Sequence, residues 1–164
     1  MKKILWGIVG LVAGIIAGFL GTTYLPGSES FGAQRLSPLE RTVMSAAGAT
    51  TTGSSMNVAD YRYIGWTVAT ANGVSGTLRF ACSMSDAAPT FSAATSTTNR
   101  WDYVDVTDLL TDNSIDGATG LVMANVNSVK QVLMENVPFR WCTAILSPWT
   151  NGTTTVTMLP ATFQ

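Results

Sequence analysis

The run YRYIGWTVAT (residues 61–70) decides the fold. Its residues alternate: Arg62, Ile64, Trp66 and Val68 fall on one side of an extended chain, and Tyr61, Tyr63, Gly65 and Thr67 on the other. A period of two marks a strand with one face on a core. Asn72-Gly73 follows, the dipeptide that most strongly signals a tight turn between such runs. GTLRFACSM (76–84) then resumes the alternation, with Leu78, Phe80, Cys82 and Met84 facing one way and Arg79, Ala81 and Ser83 the other.

Working outward, SDAAPTFSAATSTTN (85–99) reads as a long loop. RWDYVDVTDLL (100–110), GLVMANV (120–126), SVKQVLMENV (128–137), FRWCTAILS (139–147) and TTTVTML (153–159) read as further strands. A series of about seven or eight short strands punctuated by Gly, Asn and Pro predicts a mainly β domain, a single β-sandwich or jelly roll over residues 58–164. Trp66, Phe80, Val104, Leu121, Val132, Trp141 and Ile145 are its expected core. The Thr-rich end, residues 153–164, reads as an edge strand whose tail from Ala161 to Gln164 could pair with a neighbouring subunit.

Composition narrows the function. The 164 residues carry a net charge of -1 and no histidine, with 46% apolar and 12% charged residues. A chain with no dense basic patch offers no footprint for nucleic acid. Without histidine it lacks the commonest general base and metal ligand. Two cysteines, Cys82 and Cys142, are too few for a zinc site of their own. Neither a cofactor nor catalysis is expected.

The first residues have a different character. Lys2 and Lys3 precede an uncharged run from Ile4 to Leu25, which as a helix would reach about 33 Å, close to the hydrocarbon thickness of a bilayer. This predicts a transmembrane anchor helix over residues 1–25. A cleaved signal peptide is the rival, disfavoured by the length of the run and by an exit lacking a clean A-x-A pattern. Gly10, Gly14 and Gly18 recur every fourth residue, with Gly7 and Gly21 near the same stripe and Ala13 and Ala17 adjoining. Such a stripe lets a second helix approach closely in lipid. The two lysines place the N-terminus inside and the C-terminal domain outside. Residues 26–57, rich in Gly, Ser, Ala and Thr, read as a linker. Within it, residues 37–47 could form a short helix, with Ser37 as N-cap, Pro38 at the first position and Glu40 completing a capping box.

Each candidate site has a plain structural alternative. Asp102, Asp105, Asp108, Asp112 and Asp116 with Asn113 form the densest oxygen cluster, and Asp108, Asp112 and Asp116 are candidate calcium ligands, although their spacing is not that of an EF-hand. Exposed strand residues and an Asp116-Gly117 turn are the alternative. Cys82 and Cys142 fit a disulfide or two buried thiols, the thiols being favoured. Trp101, Tyr103, Trp141 and Trp149 could line a sugar-binding platform, though aromatic residues on strands more often belong to cores. Trp149, in the loop SPWTNG, is the one expected to be exposed and to touch a glycan or partner. Asn151-Gly152-Thr153 matches a glycosylation acceptor.

The stretches TLRFACSMSDAAPTFS, NRWDYVDVTDLL, SIDGATGLV and FRWCTAILSPWTNGTTTV together resemble small β-sandwich domains of phage and other virion surface structural proteins. The resemblance covers roughly the last hundred residues. It implies a structural or attachment role and transfers no functional residue. The sequence is thus read as a membrane-anchored structural protein of a virion, partnered by the lipid bilayer, by copies of itself and by capsid or surface-layer proteins. A cell-surface fibre or pilus subunit and a glycan-binding module are the alternatives.

Overall fold

The computed structural model describes residues 40–162, and they form ten β-strands and no helix. Residues 63–70 of the alternating run YRYIGWTVAT become part of β4 (Tyr63–Ser83), and its counterpart is β10 (Trp141–Ala161), each 21 residues long. The two pair antiparallel from Tyr63↔Ala161 to Ser83↔Trp141. Around them lie β1 (Arg41–Ala47), β2 (Thr51–Thr52), β3 (Met56–Asn57), β5 (Asp102–Tyr103), β6 (Val106–Asp108), β7 (Asn113–Ile115), β8 (Leu121–Val126) and β9 (Val129–Glu135).

Trp66 and Phe80 show how this ribbon is shaped. Fourteen residues of straight strand would separate them by about 46 Å, yet their ring centroids are 4.8 Å apart. The β4–β10 ribbon must therefore double back on itself. Its corner lies where Asn72 (φ 61°) and Gly73 (φ 65°) on β4 oppose Gly152 (φ 77°) on β10, beside register shifts between Leu146/Trp149, Trp149/Asn151 and Asn151/Thr153. Bulged residues bend a strand pair and increase its twist. The Asn151 side-chain amide donates to the Gly73 carbonyl (3.1 Å) and ties the two strands together there.

One sheet thus supplies two layers. The first contains β1, the C-terminal half of β10, the N-terminal half of β4, then β9, β6 and β7; β2, β3, β5 and β8 attach to the other halves of the two long strands and form the second. Even-numbered residues face inward on both. Ile64, Trp66, Val68, Val156 and Met158 from the first layer meet Leu78, Phe80, Cys82, Ala144 and Leu146 from the second in one core. Among buried side-chain polar atoms, Trp66 Nε1 and Thr154 Oγ1 have no hydrogen-bond partner within the described residues.

The mainly β, antiparallel architecture is as expected, but several details differ. Asn72-Gly73 has the positive φ values of a tight turn, yet serves as a corner inside one strand instead of ending it. Residues 41–47, expected as the end of a helix over 37–47, form a strand. The capping pattern at Ser37 is a local signal, whereas β1 pairs with β10 through Arg41↔Met158, Thr42↔Thr157, Met44↔Val156 and Ala47↔Thr154. Long-range pairing overrides local propensity here. β2 and β3 also pair with β10, so residues 41–57 belong to the sheet and not to a linker. β10 itself lies between β1 and β4 and is no edge strand. Met84, grouped by alternation on the face of Leu78, Phe80 and Cys82, is 67% exposed because β4 ends at Ser83. The anchor helix over residues 1–25, with Gly7, Gly10, Gly14, Gly18 and Gly21, lies outside the described residues, as do residues 26–39 of the linker.

Candidate binding surfaces

Cys82 and Cys142 face each other across β4 and β10 and are joined by a disulfide, with Cα atoms 4.1 Å apart. The preference for free thiols is corrected by register, which places the two residues directly opposite although 60 positions separate them.

The aspartates do not converge. Among the described residues no group of three His, Cys, Asp or Glu side chains is placed to hold a metal ion. Their oxygens are engaged elsewhere: Gly117 N donates to Asp105 Oδ1 (2.7 Å), Thr119 N to Asp116 Oδ1 (2.8 Å) and Leu110 N to Asp108 Oδ1 (2.9 Å). The Thr119 hydrogen bonds hold the exposed Asp116 carboxyl below its usual range. Asp112 takes a turn conformation with φ 55°. Asp108, Asp112 and Asp116 are thus not brought together as one ligand set.

Asp108 instead forms an inward-facing ion pair. Its residue is 4% exposed, and Lys130 Nζ donates to Oδ2 at 2.8 Å. That contact, opposed by burial, holds the carboxyl below its ordinary 3.8. A carboxyl with a depressed folded pKa binds its proton more weakly in the folded than in the unfolded chain. The pair's stabilisation is thus complete above about pH 5, begins to fall in the usual carboxylate range and is lost as pH drops through the depressed folded value. Lys130→Met leaves the buried carboxylate without its cation and is expected to cost about 2 kcal/mol at neutral pH. That is below the roughly 3–5 kcal/mol of a fully buried pair because Lys130 keeps contact with water. Denaturant melts at pH 7 and pH 3 check this: the gap between wild type and variant should shrink at the lower pH.

Trp149 is not the exposed platform expected. It is half-buried against the main core, and its indole N–H donates to the Gly152 carbonyl (3.1 Å) inside the corner. Asn151, in the Asn-Gly-Thr match, also holds the corner. The aromatic residues that do gather lie on the outer face of the second layer. Phe91, 5% exposed, comes from the loop 84–101 and packs with Ala81 and Ile145, surrounded by Trp101, Tyr103 and Trp141. Trp141 and Ile145 thus belong to this second cluster and not to the main core. Trp101 lies 5.8 Å from Phe91 and 5.4 Å from Tyr103 between ring centroids, and the Arg79 guanidinium stands over the Tyr103 ring at 5.4 Å. Sequence reading missed Phe91; the signal available was a lone large apolar residue in a loop of Ser, Thr and Ala.

Asn99 organises that loop as a template. Its Oδ1 accepts from Thr90 N (2.8 Å), and its Nδ2 donates to the carbonyls of Thr90 (3.0 Å) and Ala94 (3.1 Å). Ser83 Oγ donates to the Arg100 carbonyl at the loop's end. Trp101 Nε1 donates to Ala93 O (3.1 Å), which fixes the indole. Between this loop and residues 50–52 lies an open depression of about 530 Å³, with Phe91, Trp101 and Tyr103 in its lining.

The outer face of the first layer is different. Across β10, β4 and β9 its paired rows read Ala161–Tyr63–Glu135, Leu159–Gly65–Leu133, Thr157–Thr67–Gln131 and Thr155–Ala69–Val129. Glu135 is the one charge in these rows. Leu109 joins Leu159, Gly65 and Leu133 around a shallow depression of about 200 Å³. Leu159 and Val129 are 41% and 68% exposed, so a wide, partly apolar sheet face with a single charge meets solvent.

No protein-family model and no curated protein matches the chain. Among solved structures the chain is similar to the SPBc2 prophage-derived protein YomS, with a TM-score of 0.55 at 9% sequence identity. The match covers 74% of this chain and 91% of that one. At that identity the likeness is one of fold.

Proposed function

We propose that this chain is a non-enzymatic structural protein of a phage-type particle, held to a lipid membrane by its N-terminal segment and packed laterally through its β domain. The outer face of the first layer carries the reading. A sheet face with a single charge in twelve paired positions can be covered by another protein without stranding many desolvated ions, and charged residues are what interface centres avoid. The fold it shares with a prophage-derived protein supports a phage setting. The apolar run from Ile4 to Leu25 supports membrane attachment. A disulfide between Cys82 and Cys142 supports a domain kept away from a reducing cytosol.

The role is mechanical, with copies of the chain as the first partner of this charge-poor face. The full chain should sediment with membranes, resist carbonate extraction and require detergent for release. Once released it should self-associate, and Thr67→Glu, which sets a charge at the centre of the face, should shift it to monomer. Analytical ultracentrifugation reads the second result. A carbonate-soluble chain, or one monomeric at every concentration, overturns the corresponding half of the proposal.

A further inference from the structure

The aromatic depression outside the second layer lies on the opposite side of the domain from the charge-poor face, and it has a chemistry of its own. We infer that it is a binding site for a neutral pyranose sugar, either a terminal residue or a short stretch of an uncharged glycan. Its volume of about 530 Å³ falls within the roughly 300–1,000 Å³ typical of small-molecule sites.

Three properties select the ligand. The first is aromatic: Trp101 and Tyr103 line the site in an edge-to-face pair at 79°. Their π faces, negative at the centre, suit the C–H face of a pyranose ring better than any anion. Because the indole N–H already donates to Ala93 O, Trp101 meets a ligand as an apolar surface held in one orientation. The second is a row of hydroxyls: Thr50, Thr51, Thr52 and Ser92 line the same depression. A hydroxyl donates one hydrogen bond and accepts two, the same repertoire as the hydroxyls of a sugar. A purely hydrocarbon ligand would cover these groups and leave them unpaired. The third is charge: none of the residues lining the depression is ionisable at neutral pH, and the neighbouring Arg79 guanidinium is already engaged by the Tyr103 ring and by the Ala118 and Ser147 carbonyls, so the lining itself carries no charge to select a phosphate, a carboxylate or an ammonium group.

Preorganisation strengthens the argument. The loop bearing Phe91 and Ser92 is pinned by the Asn99 side chain, and the opposite rim belongs to β2, paired to β10 through Thr52↔Ile145 and Thr51↔Leu146. Both walls are held before any ligand arrives, which lowers the ordering cost of binding. This inference does not rest on the membrane or assembly reading, and either can fail alone.

The test uses the full chain in detergent with maltose, cellobiose and N,N′-diacetylchitobiose as probes, and glucose 6-phosphate as a charged control. Saturable shifts of the Trp101 indole N–H and of the Thr50–Thr52 amides in heteronuclear NMR spectra are expected with at least one of the three disaccharides, and none with the control. Trp101→Ala should weaken that binding at least tenfold. Thr52→Val, on β2 opposite Ile145 of the outer aromatic cluster, should weaken it about fivefold, the loss of one net hydrogen bond. It keeps the test decisive should Trp101→Ala disturb the loop. Absence of a saturable response to all three disaccharides at about 10 mM, where even a millimolar site would be mostly filled, overturns the inference. So does a response that Thr52→Val and Trp101→Ala both leave unchanged, or one confined to the phosphorylated sugar.

Discussion

Loss of the Cys82–Cys142 bond should lower the unfolding free energy by about 4 kcal/mol, more than any single hydrogen bond or ion pair in the domain. The bond closes a loop whose ends are 60 positions apart. In the chain-entropy account, cross-linking removes about 3 kcal/mol worth of freedom from the unfolded state for a 15-residue loop and about 4.7 for a 100-residue loop, so this one falls between. The folded state has little reason to change in compensation. Cys82 and Cys142 are buried, and the pairing of β4 with β10 continues through Ala81↔Thr143 and Phe80↔Ala144 beside them. The double variant Cys82→Ala/Cys142→Ala, compared with wild type in urea melts followed by tryptophan fluorescence, checks this. Its transition should move to lower urea and its slope should steepen, because the freed chain exposes more surface on unfolding. Coincident curves would show that the cross-link does not constrain the unfolded chain.

The same pair shows where sequence reading stops. Alternation in residues 61–70 and 76–84 is local, and it correctly placed Ile64, Trp66, Val68, Leu78, Phe80 and Cys82 inside. Which residue stands opposite which is not local. Cys82 meets Cys142 only because two 21-residue strands align in one register, and nothing near either cysteine announces it. Asn72-Gly73 is a case between the two. Its positive φ values were legible, but whether the chain reverses or the whole ribbon bends depends on Gly152 in the partner strand. The helix expected over 37–47 yielded to β10's need for a neighbour. Of the candidate sites, the aspartate cluster looked dense only along the chain; pleating sends Asp108 inward to Lys130 while Asp105 and Asp116 bind backbone amides. Trp101 and Tyr103 were legible as aromatic candidates, but the surface they form depends on Phe91, whose loop had no periodicity to read.

Gly152→Ala should cost about 3 kcal/mol, through the corner that makes two layers out of one sheet. At φ 77° an added Cβ incurs about 1 kcal/mol or more for the left-handed conformation alone. It would also stand 2.7 Å from the Ala71 carbonyl oxygen, 2.7 Å from Val74 Cα and 2.6 Å from Val74 Cγ2. Two of those atoms are backbone and cannot rotate away, so the strands must separate, at a cost of a further roughly 1–3 kcal/mol typical of overpacking. Gly48→Ala is the control: its Cβ would meet ordinary contacts at 3.8 Å, and its stability should stay within about 0.5 kcal/mol of wild type. Thermal melts separate the two. The spectroscopic consequence is more specific. Opening the corner draws Trp66 away from Phe80, so the near-ultraviolet dichroism of the tilted 4.8 Å pair should weaken in Gly152→Ala even below its melting transition. If Gly152→Ala retains that signal and melts with wild type, the close approach at the corner is not what folds the ribbon, and the facing of its two layers must come from the core between them.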